Sequence, residues 1–295
     1  MTARVKSAAY ISLEMTLPRA LADEAAGMVS AFGALGCETR NLRGRSAGKP
    51  ALSELRAYFH RLSPSAARRI TRVLTGAGLL SGDHEVRINR LVDPGWATMW
   101  QKRFEPLRLG RRCLIVPPWK PASMKGRESI VIQPGQAFGT GHHGSTRGAL
   151  RLIEELFQSH RFRRVLDVGT GSGILAIAMR KWGAQEVIAI DIDPVALENA
   201  GENARLNHLN KSIRFSAAPV ASIRGRFDLI AANILSSVLV PMAAALKQRL
   251  RPGGFLVLAG ILAREVDTVA AAYAPELKLI RIRAERTWRA LLFER

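Results

Sequence analysis

Between Arg164 and Pro194 the chain reads RVLDVGTGSGILAIAMRKWGAQEVIAIDIDP, a strand, a glycine loop, a helix and a second strand in close succession. Val165 to Val168 is a short apolar β-rich run. Gly169-Thr170-Gly171-Ser172-Gly173 then interrupts it with small residues that accept unusual backbone angles and the close approach of a ligand. Ile174 to Trp182 reads as an apolar helix that Gly183 can end, and Val187 to Ile190 supply a second buried strand delivering Asp191 at its carboxyl end. Two buried strands joined by one helix form a right-handed βαβ unit. Such a unit sets its first loop and the tip of its second strand on one rim of a parallel sheet, where ligands bind. A carboxylate about 20 residues past the glycine loop can accept ribose hydroxyls, and Asp191 stands there.

The glycine spacing points to a class of nucleoside. A dinucleotide loop, G-x-G-x-x-G, would need glycine at 174, where the chain has Ile174. The spacing here is G-x-G-x-G, and Asp167 lies just ahead of it, where a pyrophosphate would be repelled and a cationic amino-acid moiety would not. D-x-G-x-G-x-G resembles motif I of the class I methyltransferases that bind S-adenosyl-L-methionine. The bland alternative is a tight turn in some other α/β protein.

At 295 residues the chain has room for one large or two ordinary domains, and 47% apolar residues suffice for real cores. No run approaches a bilayer span and the start carries no apolar block of signal-peptide length, so a soluble cytoplasmic protein is expected. Cys37 and Cys113 form no C-x-x-C and are too few for a disulfide framework. A formal charge of +20 would attract nucleic acid, although only nine of the 44 basic residues are Lys and an Arg-favouring codon bias produces the same excess. Residues 96–130 are the most densely basic, with eight basic and two acidic side chains.

The first 95 residues alternate as strand, helix, strand, strand, helix, strand: Tyr10 to Thr16, a helix from Pro18 to near Gly36, Cys37 to Leu42, Ser53 to Arg61, a helix from Pro64 to Gly76 or Gly78, and Glu85 to Val92. This βαββαβ order predicts a ferredoxin-like domain. Residues 96–128 predict a linker with a short helix bearing Trp96 and Trp100, a strand at Cys113 to Val116, and the prolines 117, 118 and 121; the Trp residues could stack on RNA bases or pack against the domains. From residue 129 a strand at Ile130 to Ile132 leads through PGQAFGTGHHGST to a helix capped by Ser145 or Thr146, whose free amides could hold the carboxylate of a methionine moiety. His142 and His143 have no partner at metal-ligand spacing, so no metal is expected.

Beyond Asp191, PVALENAGENARLNHLN reads as an amphipathic helix and Phe227 to Ala232 as the next strand, ending on Asn233. There the side-chain carbonyl could accept an incoming amine, or Asn233 could simply form a turn. Pro241 to Leu250 is a predicted helix, Phe255 to Ala259 a strand, Arg264 to Ala274 a helix, and Leu277 to Arg283 with Arg289 to Phe293 a closing hairpin.

Taken in order, PGQAFGTGHHGST, DVGTGSGILAIA, IDIDPVALENAGENA, ANIL and AGIL resemble the ribosomal protein L-eleven methyltransferase family, PrmA. The resemblance implies a class I methyltransferase domain over 129–295, Rossmann-like with a seven-stranded mostly parallel sheet. It also implies a ferredoxin-like substrate-recognition domain over 1–95 and a Trp-bearing linker over 96–128. It implies S-adenosyl-L-methionine as cofactor, methylation of lysine and N-terminal amines of one ribosomal protein, and cofactor contacts at Thr146, Gly169, Asp191 and Asn233. Asp167 and Gly171 join that set from the loop itself. Asn233 is expected to orient the amine for in-line transfer, with no side-chain base and solvent taking the proton. The expected partners are the ribosomal protein and ribosome-associated RNA, with no membrane and a monomeric enzyme. Two rivals are an RNA methyltransferase, against which stands the lack of a Pro-Pro-aromatic clamp after Asn233, and a noncatalytic ribosome-binding factor.

Overall fold

The structure, a computed structural model, describes residues 9–30, 32–34, 36–42, 51–59, 62–80, 86–92, 105–133 and 143–295. The chain divides into two compact units, residues 1–104 and 105–295. The predicted helix around Trp96 and Trp100, and the loop from Pro134 to His142, lie outside the described residues.

In the first unit, β1 (Ala9–Pro18), β2 (Gly36–Asn41), β3 (Leu52–Phe59) and β4 (Val86–Val92) form an antiparallel sheet in the order β2-β3-β1-β4. Strand alternation puts Leu13, Met15, Leu17, Leu55, Ala57 and Phe59 on one face, where they pack with Val29 of α1 (Ala22–Ser30) and with Ile70 and Leu74 of α2 (Pro64–Gly76). Ser63 caps α2 by accepting the Ala66 amide at 3.1 Å, with Pro64 at the first helical position. The helix predicted to run to Gly36 is shorter, since Gly36 already belongs to β2.

The second unit corrects the predicted linker. Leu107–Leu109 (β5), Cys113–Val116 (β6) and Glu128–Val131 (β7) form a three-stranded sheet, so residues 105–128 are folded structure within this unit. The reason is burial: all four residues of the Cys-Leu-Ile-Val run are at most 2% exposed and pair in parallel with β7. The β5–β6 turn is held by Glu154, whose carboxylate accepts the amides of Arg111 at 2.9 Å and Arg112 at 2.5 Å.

The main sheet has the order β10-β9-β8-β11-β12-β14-β13. Its members are β8 (Arg164–Val168), β9 (Glu186–Ile190), β10 (Ile213–Ser216), β11 (Phe227–Asn233), β12 (Leu250–Leu262), β13 (Lys278–Glu285) and β14 (Trp288–Glu294). The first five run parallel to one another, and β14 and β13 close the sheet as an antiparallel hairpin. One face is covered by α3 (Gly144–Ser159), α4 (Ile174–Lys181) and α5 (Pro194–Leu206), with Ile153, Ile177 and Ala204 in its core. The other is covered by α6 (Ser236–Arg249) and α7 (Val266–Tyr273), with Leu239, Leu246 and Tyr273 buried. Because both faces are covered, the central strands read as unbroken apolar runs.

Three further expectations differ. Strand β10 stands where no strand was predicted, because only Ile213 of its four residues is buried and the run has no apolar signature. Helix α6 begins at Ser236, five residues ahead of Pro241, since the turn after Asn233 leads straight into it. Helix α3 begins at Gly144 with His143 as its cap, leaving Ser145 and Thr146 buried in the first turn. A Cβ on Gly144 would stand 3.0 Å from both the Glu285 carbonyl oxygen and the Trp288 ring, so a glycine lets the helix start pack that closely on the β13–β14 hairpin. Among the described residues no helix is long and apolar enough to cross a membrane.

Candidate active site

Strands β9, β8 and β11 are neighbours, and their carboxyl ends bring Asp191, the glycine loop and Asn233 onto one rim. The loop is shaped by left-handed backbone at Gly169, Gly171 and Gly173, with φ of 68°, 54° and 80°. The amides of Gly169 and Thr170 both donate to the Ile190 carbonyl, at 2.9 and 3.0 Å, so the loop folds over the end of β9. Gly173 then caps α4 and packs so tightly that a Cβ there would lie 3.1 Å from that of Ala200.

Asp191 braces this loop from the side. Its Oδ2 accepts the Gly171 amide at 2.9 Å and its Oδ1 the Asp193 amide at 3.1 Å, which leaves each oxygen a second lone pair for a ligand hydroxyl. Beside it Ile192 is 87% exposed, a bare apolar side chain at the rim that the sequence reading passed over.

Asp167 lies under the loop, 1% exposed. Its Oδ2 accepts the Thr170 hydroxyl at 2.7 Å and the Ala176 amide at 3.1 Å, while Oδ1 is buried with no hydrogen-bond partner among the described residues. Burial pushes its carboxyl up to about 7, against the pull of those two donors, and the nearby Asp191 charge adds to the rise.

Across the rim, Asn233 is 8% exposed at the end of β11, and its Nδ2 donates to Thr146 Oγ1 at 3.1 Å. That bond fixes the carboxamide with Oδ1 as a buried acceptor lacking a partner among the described residues. The turn after Asn233 is seated by two glycines. A Cβ on Gly169 would fall 2.3 Å from Ile234 Cγ2, and one on Gly260, at φ 83°, would fall 2.5 Å from the Ile234 carbonyl oxygen. The second glycine of this seat sits in the AGIL segment, at an irregularity where the β12–β14 register shifts.

A further residue escaped sequence reasoning. Asn203 of α5 is fully buried, accepts the Gln133 amide at 2.8 Å and donates to the Ser172 carbonyl at 2.8 Å. One carboxamide thereby joins the end of β7 to the glycine loop. One turn on, Asn207 does the same for β7 alone, accepting the Val131 amide at 2.9 Å and donating to the Val131 carbonyl at 2.6 Å. His143 bonds Ser145 Oγ at 2.8 Å and meets the Trp288 ring edge-on at 4.7 Å, and among the described residues no group of three His, Cys, Asp or Glu side chains could hold a metal.

The family described as ribosomal protein L11 methyltransferase (PrmA) matches residues 9–295. The chain belongs to this family. Among its relatives named ribosomal protein L11 methyltransferase, that of Pelobacter propionicus is 43% identical over 213 residues, 70% of this chain and 69% of that protein. That of Geobacter sulfurreducens is 41% identical over 246 residues, 81% of each. The crystal structure of ribosomal protein L11 methylase from Lactobacillus delbrueckii subsp. bulgaricus superposes with a TM-score of 0.61 at 34% identity, covering 65% of this chain and 99% of that one. The site fits a cofactor of the methyltransferase kind: beside a loop of left-handed glycines lies Asp167 Oδ1, a buried acceptor without a partner among the described residues, which suits a cationic ligand.

Proposed function

We propose that this chain transfers a methyl group from S-adenosyl-L-methionine to amine nitrogens of ribosomal protein L11, at lysine side chains and the N-terminal α-amine. The observation that carries the reading is the open Oδ1 of Asn233, a buried acceptor held in place by Thr146 on the same rim as the glycine loop. The family and the names of its members supply the protein substrate.

When bound, the cofactor supplies a sulfonium methyl, an electrophile with its leaving group attached. The chain's part is binding and orientation. Gly169 and Gly171 let backbone approach the ligand, the free lone pairs of Asp191 accept ribose hydroxyls, and exposed Ile192 offers an apolar surface to the base. Asp167 Oδ1, a buried acceptor, would take a positive amino group, and Thr146, in the first turn of α3, would take the carboxylate end. An alkyl amine has a pKa of about 10 and must be neutral to attack, so solvent takes the proton before transfer. Asn233 Oδ1 then accepts an N–H of the neutral amine and leaves the lone pair free for in-line attack, a positioning effect.

On the same reading the four-stranded first unit, with its βαββαβ order, is a ferredoxin-like domain that recognises the substrate. The seven-stranded unit is the class I methyltransferase domain, and the enzyme works as a cytoplasmic monomer. The test is incubation of purified protein with methyl-labelled cofactor and L11. With ribosomal RNA also present in the mixture, label on L11 amines that vanishes in Asn233→Ala is the expected result, and label entering the RNA instead would overturn the reading.

A further inference from the structure

The rim formed by the amino-terminal ends of the main sheet's parallel strands, opposite the site, is strongly basic, and its arginines fall into two groups. Helix C-termini end there, and several cations serve them: Arg180 donates to the Ala184 carbonyl, Arg249 to that of Ala221, and Arg295 to those of Lys247 and Leu250. That use is structural, as expected where helix dipoles end. Arg161, Arg163, Arg224 and Arg226 are different. They lie on the turns entering β8 and β11, all four are exposed, and none of their guanidinium groups has a partner among the described residues.

The turns that carry them are built to present them. Arg164 is paired with Glu186 at 2.7 Å and donates to the carbonyls of Arg224 and Arg226 at 3.3 and 3.4 Å, turning those two backbones inward. Its guanidinium occupies the space where a Cβ on Gly225 would stand, 2.0 Å from Nη1, and Gly225 has φ 85°, so only glycine fits between the two arginines. On the neighbouring strand Asp228 Oδ2 accepts the amides of Arg163 and Arg164 at 2.6 and 2.9 Å, and its Oδ1 is paired with Arg251 at 2.8 Å. The carboxylates amid this cluster, Glu186 and Asp228, are therefore engaged, and Glu294 lies two strands away on β14. Strands β8 and β11 are adjacent, which sets the two turns about 5 Å apart at the backbone.

We propose that this rim, with Arg161, Arg163, Arg224 and Arg226, docks the phosphodiester backbone of RNA. Four free guanidinium forks on two adjoining turns match a run of phosphates, which arginine binds in bidentate fashion. The choice of RNA over other polyanions rests on the proposed ribosomal substrate. The site lies at the far end of the strands from Asn233, so the RNA is a docking partner and not the methyl acceptor.

The test is binding of labelled ribosomal RNA to the full chain without cofactor, across a series of KCl concentrations. Expected is a salt slope that falls by about 3 in the fourfold variant R161Q/R163Q/R224Q/R226Q, at about 0.7 per single-strand phosphate contact, with affinity down by tens of fold. A charge-matched control, R68Q/R72Q/R108Q/K125Q, should keep most of the slope, and the fourfold variant should methylate free L11 at the unaltered rate. Equal losses in both variants would reduce the effect to net charge and overturn the proposal. So would displacement of the RNA by polyglutamate at matched charge, which would make the partner an acidic protein, or preferential binding of duplex DNA. Because binding is read without methyl transfer, failure of the proposed activity would leave this result standing and identifiable.

Discussion

Around Asp191 each carboxylate oxygen already accepts a backbone amide, from Gly171 or Asp193, whereas around Asn233 the carboxamide is half used among the described residues, with Nδ2 bound to Thr146 and Oδ1 open. The two halves of the rim are only two strands apart, with β8 between them, yet they are prepared for different tasks. A side chain whose bonds go to its own loop shapes a binding surface, and losing it loosens that surface. A buried acceptor with nothing to accept carries a standing desolvation cost that only an incoming donor relieves. The Asp191 half should therefore govern cofactor affinity and the Asn233 half the rate of transfer.

The sharpest break of that division is Asn233→Ala. Removing a preorganised group at the reacting centre is expected to lower kcat by about 100-fold or more, in line with losses at comparable positions. Cofactor Kd, measured by calorimetry, should move only a few-fold. A Kd that rose as much as kcat fell would make both halves one binding surface.

Gly260→Ala separates the halves without touching either ligand. Its new Cβ would press on the Ile234 carbonyl oxygen, and the left-handed backbone adds strain of roughly 1–2 kcal/mol. The seat of the Asn233 turn should shift while Gly171 and Asp191 stay in place, so kcat should drop about tenfold, on the scale of one strained residue, with Kd unchanged. A purely thermal effect, lower Tm with normal kcat in the folded protein, would show that Ile234 does not position Asn233.

How much of this the chain announces in its sequence depends on the reach of each interaction. The strand, glycine loop, helix and strand of residues 164–191 are local, and their spacing alone placed Gly169, Gly171 and Asp191 on one rim. Strand β10 was silent because an edge strand with one buried residue has no apolar pattern to read. Pro241 misled because it normally opens a helix, and here sits inside α6. The Cys113 to Val116 strand was visible, but its partner β7 lies beyond a proline-rich run that reads as linker. Asn203 was illegible for a stronger reason: its partners Gln133 and Ser172 are 70 and 31 residues away, and nothing local marks an Asn on a polar helix as a junction.

That junction yields the next comparison, between two asparagines one turn apart. Asn203→Ala leaves the Gln133 amide and the Ser172 carbonyl unpaired, and Asn207→Ala leaves the two polar groups of Val131. Each loss should cost about 1–3 kcal/mol of stability. Only the first frees the glycine loop, so cofactor Kd should rise about tenfold, the equivalent of roughly 1.4 kcal/mol, in Asn203→Ala and stay within twofold in Asn207→Ala. Equal Kd values in the two variants would reduce Asn203 to a packing residue.

A comparison across pH concerns Asp167, in the binding half, whose buried carboxyl is pushed from 3.8 up to about 7. Since the folded-state value lies above the unfolded one, the folded protein keeps this proton through a range where the unfolded chain has lost it. Its contribution to stability is therefore full below about pH 4 and is lost as pH rises through about 7. In the free protein, Asp167→Asn should flatten that fall in a series of melting curves between pH 4 and pH 7. Cofactor binding should run the other way. A cationic amino group is held by the ionised carboxylate, so affinity should weaken as pH drops below about 7, approaching tenfold per unit for one linked proton. Loss of both dependences in Asp167→Asn would fix Oδ1 as the contact for positive charge. If melting flattened while the pH profile of Kd persisted, the carboxylate would serve the loop alone, through Thr170 and Ala176, and the binding half would have to find its charge partner elsewhere.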